Sequence, residues 1–260
     1  MSIRFQQWGD DSSQEQVLFI HGWAMNSSVW TDIAEALMND YPQKLIRAVD
    51  LPGYGASEYE QNSTSEALAK ALEPLLIGKQ TILIAWSMGG LIALDLVTRK
   101  QCDIRQLILV SSTPCFVQNT HWQYAVKADV FESFAQSLKK DYKQTLKRFV
   151  MIQAMGSHTA RADIKVLQRQ LLLRGEPDLK ALEAGIALLL YEDKRQALKE
   201  IDDCPISLIS GTKDSLINDQ GQQQLAQQNN ISLFAIEAAG HAPFISHPKI
   251  FKQILKNIIL

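Results

Sequence analysis

Cysteine is scarce: only Cys102, Cys115 and Cys204 occur in 260 residues. They are widely spaced and odd in number, which excludes a disulfide framework and a paired-thiolate metal site and fits a reducing, cytoplasmic compartment. No group of histidines, cysteines and carboxylates has the spacing of metal ligands. Long apolar runs are missing too, and nothing approaches the roughly 20 residues that cross a bilayer. Residues 1–8 contain no apolar h-region, so they do not read as a secretory signal. A formal net charge of −2 gives no global attraction to nucleic acid. Internal repeats and low-complexity tracts are absent, and the glutamine-rich stretch 221–230 reads as an exposed helix face and its end.

What is present is alternation. Short apolar runs at 17–20, 45–49, 81–85 and 107–110 alternate with helical patterns at 31–38, 65–77 and 91–99. Such alternation predicts an α/β fold with a mostly parallel sheet covered by helices on both faces. The pattern returns after Pro205, with strands at 206–210 and 231–236 around a helix at 219–228. Pro248 then opens a final amphipathic helix with Ile250, Phe251, Ile254, Leu255 and Ile258 on its buried side. Between these blocks the strands disappear. Phe131, Phe134, Leu138, Tyr142, Leu146 and Phe149 recur at three- or four-residue steps, as one face of a long helix would. Ile164, Leu167 and Leu171 repeat that spacing, as do Leu182, Ile186 and Leu189. The expectation is an α/β core over 1–115 and 199–260, with residues 116–198 as an all-helical cap inserted after the fourth core strand run. Such an insertion sits over the C-terminal ends of the strands.

Trp86-Ser87-Met88-Gly89-Gly90 lies between a strand run and a helical run. It resembles the nucleophile elbow of the α/β-hydrolases, where a serine sits on a sharp strand-to-helix turn. Gly89 must then be small for close backbone approach, and Gly90 lets the helix pack tightly. The usual glycine two residues before the serine is Ala85 here, which predicts a tighter elbow. A serine that merely caps a βα unit is the competing reading, and the rest of the chain weighs against it.

An elbow serine needs a base, an acid to orient the base, and donors for an oxyanion. In this fold they follow in the order serine, acid, histidine. His241, in a loop after the last strand and beside Gly240, is the expected base; His21, His121, His158 and His247 lack that context. Asp214 follows a strand through Gly211-Thr212-Lys213, at the same sheet edge, where it can fix the imidazole tautomer. Asp202 and Asp203 precede that strand and fall at its opposite end, while Asp219 reads as a helix cap. The loop His21-Gly22-Trp23 and the residue after the serine supply the oxyanion donors, so the backbone amides of Trp23 and Met88 are expected to fill that role. Residues 50–55 look like a phosphate-cradling loop but lack the following Lys-Ser/Thr, and read as a structural turn.

Nine lysines and arginines fall between Lys139 and Arg174, against Asp141 and Asp163. Arg161, Lys165 and Arg169 form one stripe at i, i+4, i+8. This is either a solvated helix face or a docking surface for an acidic partner.

Leu18-Phe19-Ile20-His21-Gly22-Trp23, Asp50-Leu51-Pro52-Gly53-Tyr54-Gly55 and Trp86-Ser87-Met88-Gly89-Gly90 together resemble the BioH-type pimeloyl-[acyl-carrier protein] methyl ester esterases of biotin synthesis. Ser111-Ser112-Thr113-Pro114-Cys115-Phe116, Arg148-Phe149 with Gln153, Met155-Gly156 with Thr159-Ala160-Arg161, and residues 240–248 extend that resemblance over nearly the whole chain. It implies a cytoplasmic serine carboxylesterase that cleaves the methyl ester of a carrier-bound pimeloyl chain without a cofactor or metal. It implies an acyl site made by Phe149, Val150, Met151, Ile152 and Gln153 beside Trp23, Ser87, Met88 and His241. Arg148 and Arg161 would meet the carrier protein, with Lys143 and Lys165 nearby by a looser match. A monomer without nucleic-acid or membrane partners is expected. A general short-chain carboxylesterase, a thioesterase, or a ligand receptor that keeps the fold without catalysis are the alternatives.

Overall fold

The computed structural model describes residues 3–61 and 64–259. Its strands are β1 (Arg4–Gly9), β2 (Glu15–Ile20), β3 (Leu45–Asp50), β4 (Gln80–Trp86), β5 (Ile104–Val110), β6 (Ile206–Gly211) and β7 (Ser232–Ile236). Its helices are α1 (Thr31–Asp40), α2 (Ser65–Leu72), α3 (Gly89–Thr98), α4 (Ala128–Lys140), α5 (Tyr142–Ala154), α6 (Ala160–Leu172), α7 (Leu179–Tyr191), α8 (Arg195–Lys199), α9 (Asp219–Asn229), α10 (Pro243–Ser246) and α11 (Pro248–Ile259). The strands form one sheet in the order β1-β3-β2-β4-β5-β6-β7. Every pairing is parallel except that of β1 with β3. The apolar runs of β2, β4 and β5 are central and buried, with only Ile82 of β4 partly exposed, as expected of strands covered on both faces.

Strand order reverses direction between β3 and β4, so right-handed crossovers place α1 on one face and α3 on the other. Accordingly α1 packs with α11, and α3 packs with α2 and α8. The reversal leaves β2 and β4 as neighbours whose C-terminal loops depart in opposite directions. That switch point is the usual ligand position in an open α/β sheet.

Four details differ from the sequence reading. An antiparallel edge strand, β1, precedes the first expected one; its residues are half exposed and show no apolar run. The single long helix expected from Phe131 to Phe149 is two helices, broken at Asp141. That residue has extended backbone (φ −154°) and caps α5 by accepting from the Gln144 amide. The apolar spacing keeps its phase across the break, which is why it reads as continuous. Asn218, not Asp219, caps α9, and Ile250 is half exposed rather than buried in α11.

Between β5 and β6 lie α4 to α8. The end of this segment returns to the core: α8 packs on α3, and Lys194 pairs with the buried Asp95 at 2.9 Å. Among the described residues no helix is long and apolar enough to cross a membrane.

Candidate active site

Ser87 directly follows β4 with φ +54°, a left-handed conformation that makes the chain turn sharply into α3. The turn requires small neighbours. A Cβ on Gly89 would stand 2.7 Å from the His21 carbonyl oxygen, and one on Gly90 only 2.1 Å from Ser112 Oγ. Ala85 fits because it is still within β4, paired with Ile20 and Leu109, where a methyl group has room. Two donors hold the elbow's carbonyl: the Gly90 amide at 2.9 Å and the Ser112 hydroxyl at 2.7 Å. Ser112 is in turn held by Gln222, whose side chain donates to its carbonyl. Sequence reading passed over Ser112 and Gln222, since nothing local marks a serine and a glutamine 110 positions apart as partners.

The loops after β6 and β7 converge on that serine. Thr212 and Lys213 amides donate to the Ile236 and Ala239 carbonyls. A Cβ on Gly211 would lie 2.3 Å from the Ala239 oxygen, so the loops could not close with a larger residue there. His241 is thereby brought to Ser87, with Nε2 2.9 Å from its Oγ. Its Nδ1 lies 2.9 Å from Asp214 Oδ2. The other Asp214 oxygen accepts from the Leu216 and Ile217 amides at 2.8 and 3.0 Å. Both side chains are fully buried. The ring is braced through its backbone: the Trp86 indole donates to the His241 carbonyl, and the His241 amide to the Gln153 carbonyl. Asp202 and Asp203 pair with Lys100 instead, away from this cluster.

The loop after β2 passes directly over the serine. A Cβ on Gly22 would come within 3.0 Å of Ser87 Cβ. Next to it Trp23, and across the elbow Met88, present amides that donate to no backbone carbonyl among the described residues. The Trp23 side chain is buried, with its indole N–H on the Leu182 carbonyl and its rings edge-on to Phe149 (4.7 Å) and Phe134 (5.4 Å).

His21 is not a second base. Its Nδ1–H donates to the Gly22 carbonyl, and its Nε2 accepts from the Leu51 amide, which uses both ring nitrogens in the neutral form. Burial pushes its pKa down to about 4. His121 and His158 are exposed on the inserted segment, and His247 ends α10 with its ring against Ser246.

On α5, Phe149, Val150 and Gln153 are buried and Ile152 half-buried, whereas Met151 is 48% exposed. Helical phase puts Phe149 and Gln153 on one side and turns Met151 to the other, so the structure does not bring Met151 into the group. Gln153 is solvent-free, yet neither atom of its side-chain amide has a hydrogen-bond partner. A groove of about 320 Å³ between α4 and α5 includes Phe134, Thr145, Arg148 and Ile152, and so borders the aromatic stack on Trp23. Of the basic residues, Arg148, Arg161, Lys165 and Arg169 are exposed. Lys143 pairs with Glu176 at 3.3 Å, and Arg174 is drawn inward to Asp50 at 2.8 Å. Among the described residues no metal-ligand cluster exists.

Residues 16–248 match the family model described as the alpha/beta hydrolase fold. The pimeloyl-[acyl-carrier protein] methyl ester esterase of Aeromonas hydrophila subsp. hydrophila is 36% identical over 266 residues, covering 100% of both chains. The protein of the same name from Photobacterium profundum is 36% identical over 97% of each. Among solved structures, an esterase from Exiguobacterium antarcticum superposes with a TM-score of 0.88 at 22% identity, covering 99% of this chain and 95% of that one. An enol-lactonase from Burkholderia xenovorans gives 0.84 at 17% identity, over 99% and 96%. These structural likenesses speak for the fold alone.

Proposed function

The chain belongs to the α/β-hydrolase family and, within it, to the pimeloyl-[acyl-carrier protein] methyl ester esterases, and from that premise we propose that it hydrolyses the methyl ester of a pimeloyl chain borne by acyl-carrier protein, as a cytoplasmic step of biotin synthesis. The observation that carries the chemistry is the unbroken line of contacts from Asp214 through His241 to Ser87 Oγ, with the His241 and Asp214 side chains buried. His241 Nε2 takes the serine proton as Oγ bonds to the ester carbonyl carbon. The Trp23 and Met88 amides receive the oxyanion; a single donor of this kind is typically worth about 3 kcal/mol of transition-state stabilisation. The proton passes to the departing methoxide, methanol leaves, and a water that gives its proton to His241 hydrolyses the acyl-enzyme. Asp214 keeps the imidazole in the tautomer with Nδ1–H throughout. No step calls for a cofactor.

Gln153 supports the acyl-site assignment, because a buried unpaired amide is costly unless a bound group uses it. The α4–α5 groove is the path by which the carrier's flexible arm reaches Trp23, with Arg148 at its edge and Arg161 and Lys165 as further contacts for an acidic carrier. The carrier itself stays outside. The combined length of arm and acyl chain then sets the distal methyl ester at Ser87 and holds the thioester short of it.

Mass spectrometry of a carrier loaded with monomethyl pimelate tests this. The expected product is the carrier with its acyl chain intact and the methyl lost, formed by the wild type and not by Ser87→Ala. Free monomethyl pimelate with an unloaded carrier would identify a thioesterase and overturn the assignment.

A further inference from the structure

The loop that carries the Trp23 amide is held from the inserted segment as well as from the sheet. Asn26, 1% exposed, uses its side chain in two directions. Its Oδ1 accepts from the Ser28 amide, which caps the 3₁₀ turn Ser27–Trp30. Its Nδ2 donates to the Gln170 carbonyl at 2.9 Å and to the Leu171 carbonyl at 3.0 Å. These are among the last carbonyls of α6, where a helix runs short of intrahelical donors; the Gln170 carbonyl also accepts from the Leu173 amide and the Ser28 hydroxyl. Three residues beyond Leu171, Arg174 Nε donates to Asp50 Oδ2 at 2.8 Å, and Asp50 Oδ1 accepts from the Ser27 amide at 2.8 Å. Adjacent residues 26 and 27 thus grip the same end of α6 by two routes, and the contacts close into a ring. Two residues before Asn26, at the edge of that ring, Ala24 has φ +66°. A non-glycine residue stays in that conformation only where its surroundings fix it.

We propose that Asn26 is a positioning residue for the oxyanion: by tying the loop 22–28 to the C-terminal end of α6, it sets the direction of the Trp23 amide. This rests on the hydrolase reading above and adds to it a residue that never touches the substrate. Geometry explains the need. An oxyanion donor acts only when it is already aimed at where charge develops, and small displacements forfeit much of its effect. Trp23 Nε1 on Leu182 fixes the side chain, while its amide shares a peptide plane with the Gly22 carbonyl, which accepts from His21 Nδ1 and from the amide of Met25, the residue before Asn26.

The test substitution is Asn26→Asp, which keeps the oxygen that caps Ser28 and removes both N–H donors to α6. Turnover of p-nitrophenyl acetate is measured per active site, titrated to completion with a fluorophosphonate. The expected result is a kcat lower by about tenfold or more with KM changed by less than about twofold. A trifluoromethyl ketone, which binds as a tetrahedral oxyanion, should lose affinity by a similar factor. A merely structural role would reduce the melting temperature or the number of titratable sites and leave kcat per site unchanged, and that outcome overturns the proposal. Failure of the wild type to take up the fluorophosphonate would sink the hydrolase reading itself, a separate result. If Asn26→Asp does not fold, Arg174→Gln opens the ring from its partly exposed side. Its kcat should fall severalfold, with recovery in Arg174→Lys; folded Arg174→Gln with wild-type kcat overturns the proposal.

Discussion

Asp214 divides its oxygens between two tasks, and one substitution separates them. Asparagine at this position can still accept from the Leu216 and Ile217 amides, so the turn survives. Its NH₂ group would then face His241 Nδ1 and force the proton onto Nε2, the nitrogen that must receive from Ser87. Asp214→Asn should therefore lower kcat by about 10⁴-fold, the loss typical of a mis-set tautomer, with little change in melting temperature. Steady-state kinetics beside a thermal melt checks both halves. His21 makes a different prediction, about stability. Its folded pKa of about 4 lies below the ordinary value of 6.5. Between those values the unfolded chain binds a proton that the folded one refuses, so unfolding is favoured as pH falls. The His21 contribution is complete above about pH 6.5 and lost progressively toward pH 4, about 3 kcal/mol in all. Below pH 4 both states are protonated and the slope ends. Urea denaturation at pH 7 and pH 4.5 should show a large loss for the wild type. A less stable but flatter His21→Asn protein is expected, and equal slopes would count against a neutral buried ring.

At the scale of elements, α7 packs against the proposed oxyanion donors. A Cβ on Gly185 would meet Trp23 Cδ1 at 2.5 Å and Met88 Sδ at 3.0 Å, the side chains of both proposed donors. Gly185→Ala must therefore push α7 or the indole aside. Overpacking of this kind typically costs about 1–3 kcal/mol, and the rate per titrated site should fall while the protein remains folded. A variant as active and as stable as wild type would mean that α7 can retreat freely. Nothing in the sequence singles out Gly185, a lone glycine inside a helical pattern, because its neighbours come from β2 and β4 loops far away along the chain. The elbow glycines were legible for the opposite reason: Gly89 and Gly90 stand beside the residue whose turn requires them. The same contrast explains the other gains and misses. Central strands announce themselves as apolar runs because both faces are covered, whereas β1 at the edge has no such run. Asp214 and His241 could be found because strand ends place them at one edge of the sheet. Asn26 could not, since its partners at Gln170 and Leu171 lie 144 and 145 residues away. The break at Asp141 escaped notice because a capped turn can preserve helical phase.

Across the whole molecule, charge and anchoring divide the inserted segment in two. One end is tied to the core by neutral and ionic contacts: Tyr54 OH on the Ala181 carbonyl, the Asp178 amide on the Gly53 carbonyl, and Arg174 on Asp50. The cations left over point outward. Among the described residues Arg148, Arg161, Lys165 and Arg169 have no ion-pair partner, in a chain whose net charge is −2. A surface that spends no charge on its own fold is available to an acidic partner, and its effect should act on encounter more than on chemistry. Arg148→Glu combined with Arg161→Glu should raise KM for the carrier-bound ester by about tenfold or more, through reversed steering and like-charge contact. Hydrolysis of p-nitrophenyl acetate, which has no use for that surface, should be unchanged. Salt gives an independent check, because the screening length shrinks from about 30 Å at 0.01 M to about 3 Å at 1 M. Over that range the wild-type preference for the carrier-bound substrate should collapse, while the double variant, having little attraction to lose, responds weakly. Equal losses on both substrates would assign these arginines to holding α5 and α6 in place. Loss confined to the carrier-bound ester makes them the part of the molecule that selects what reaches Ser87.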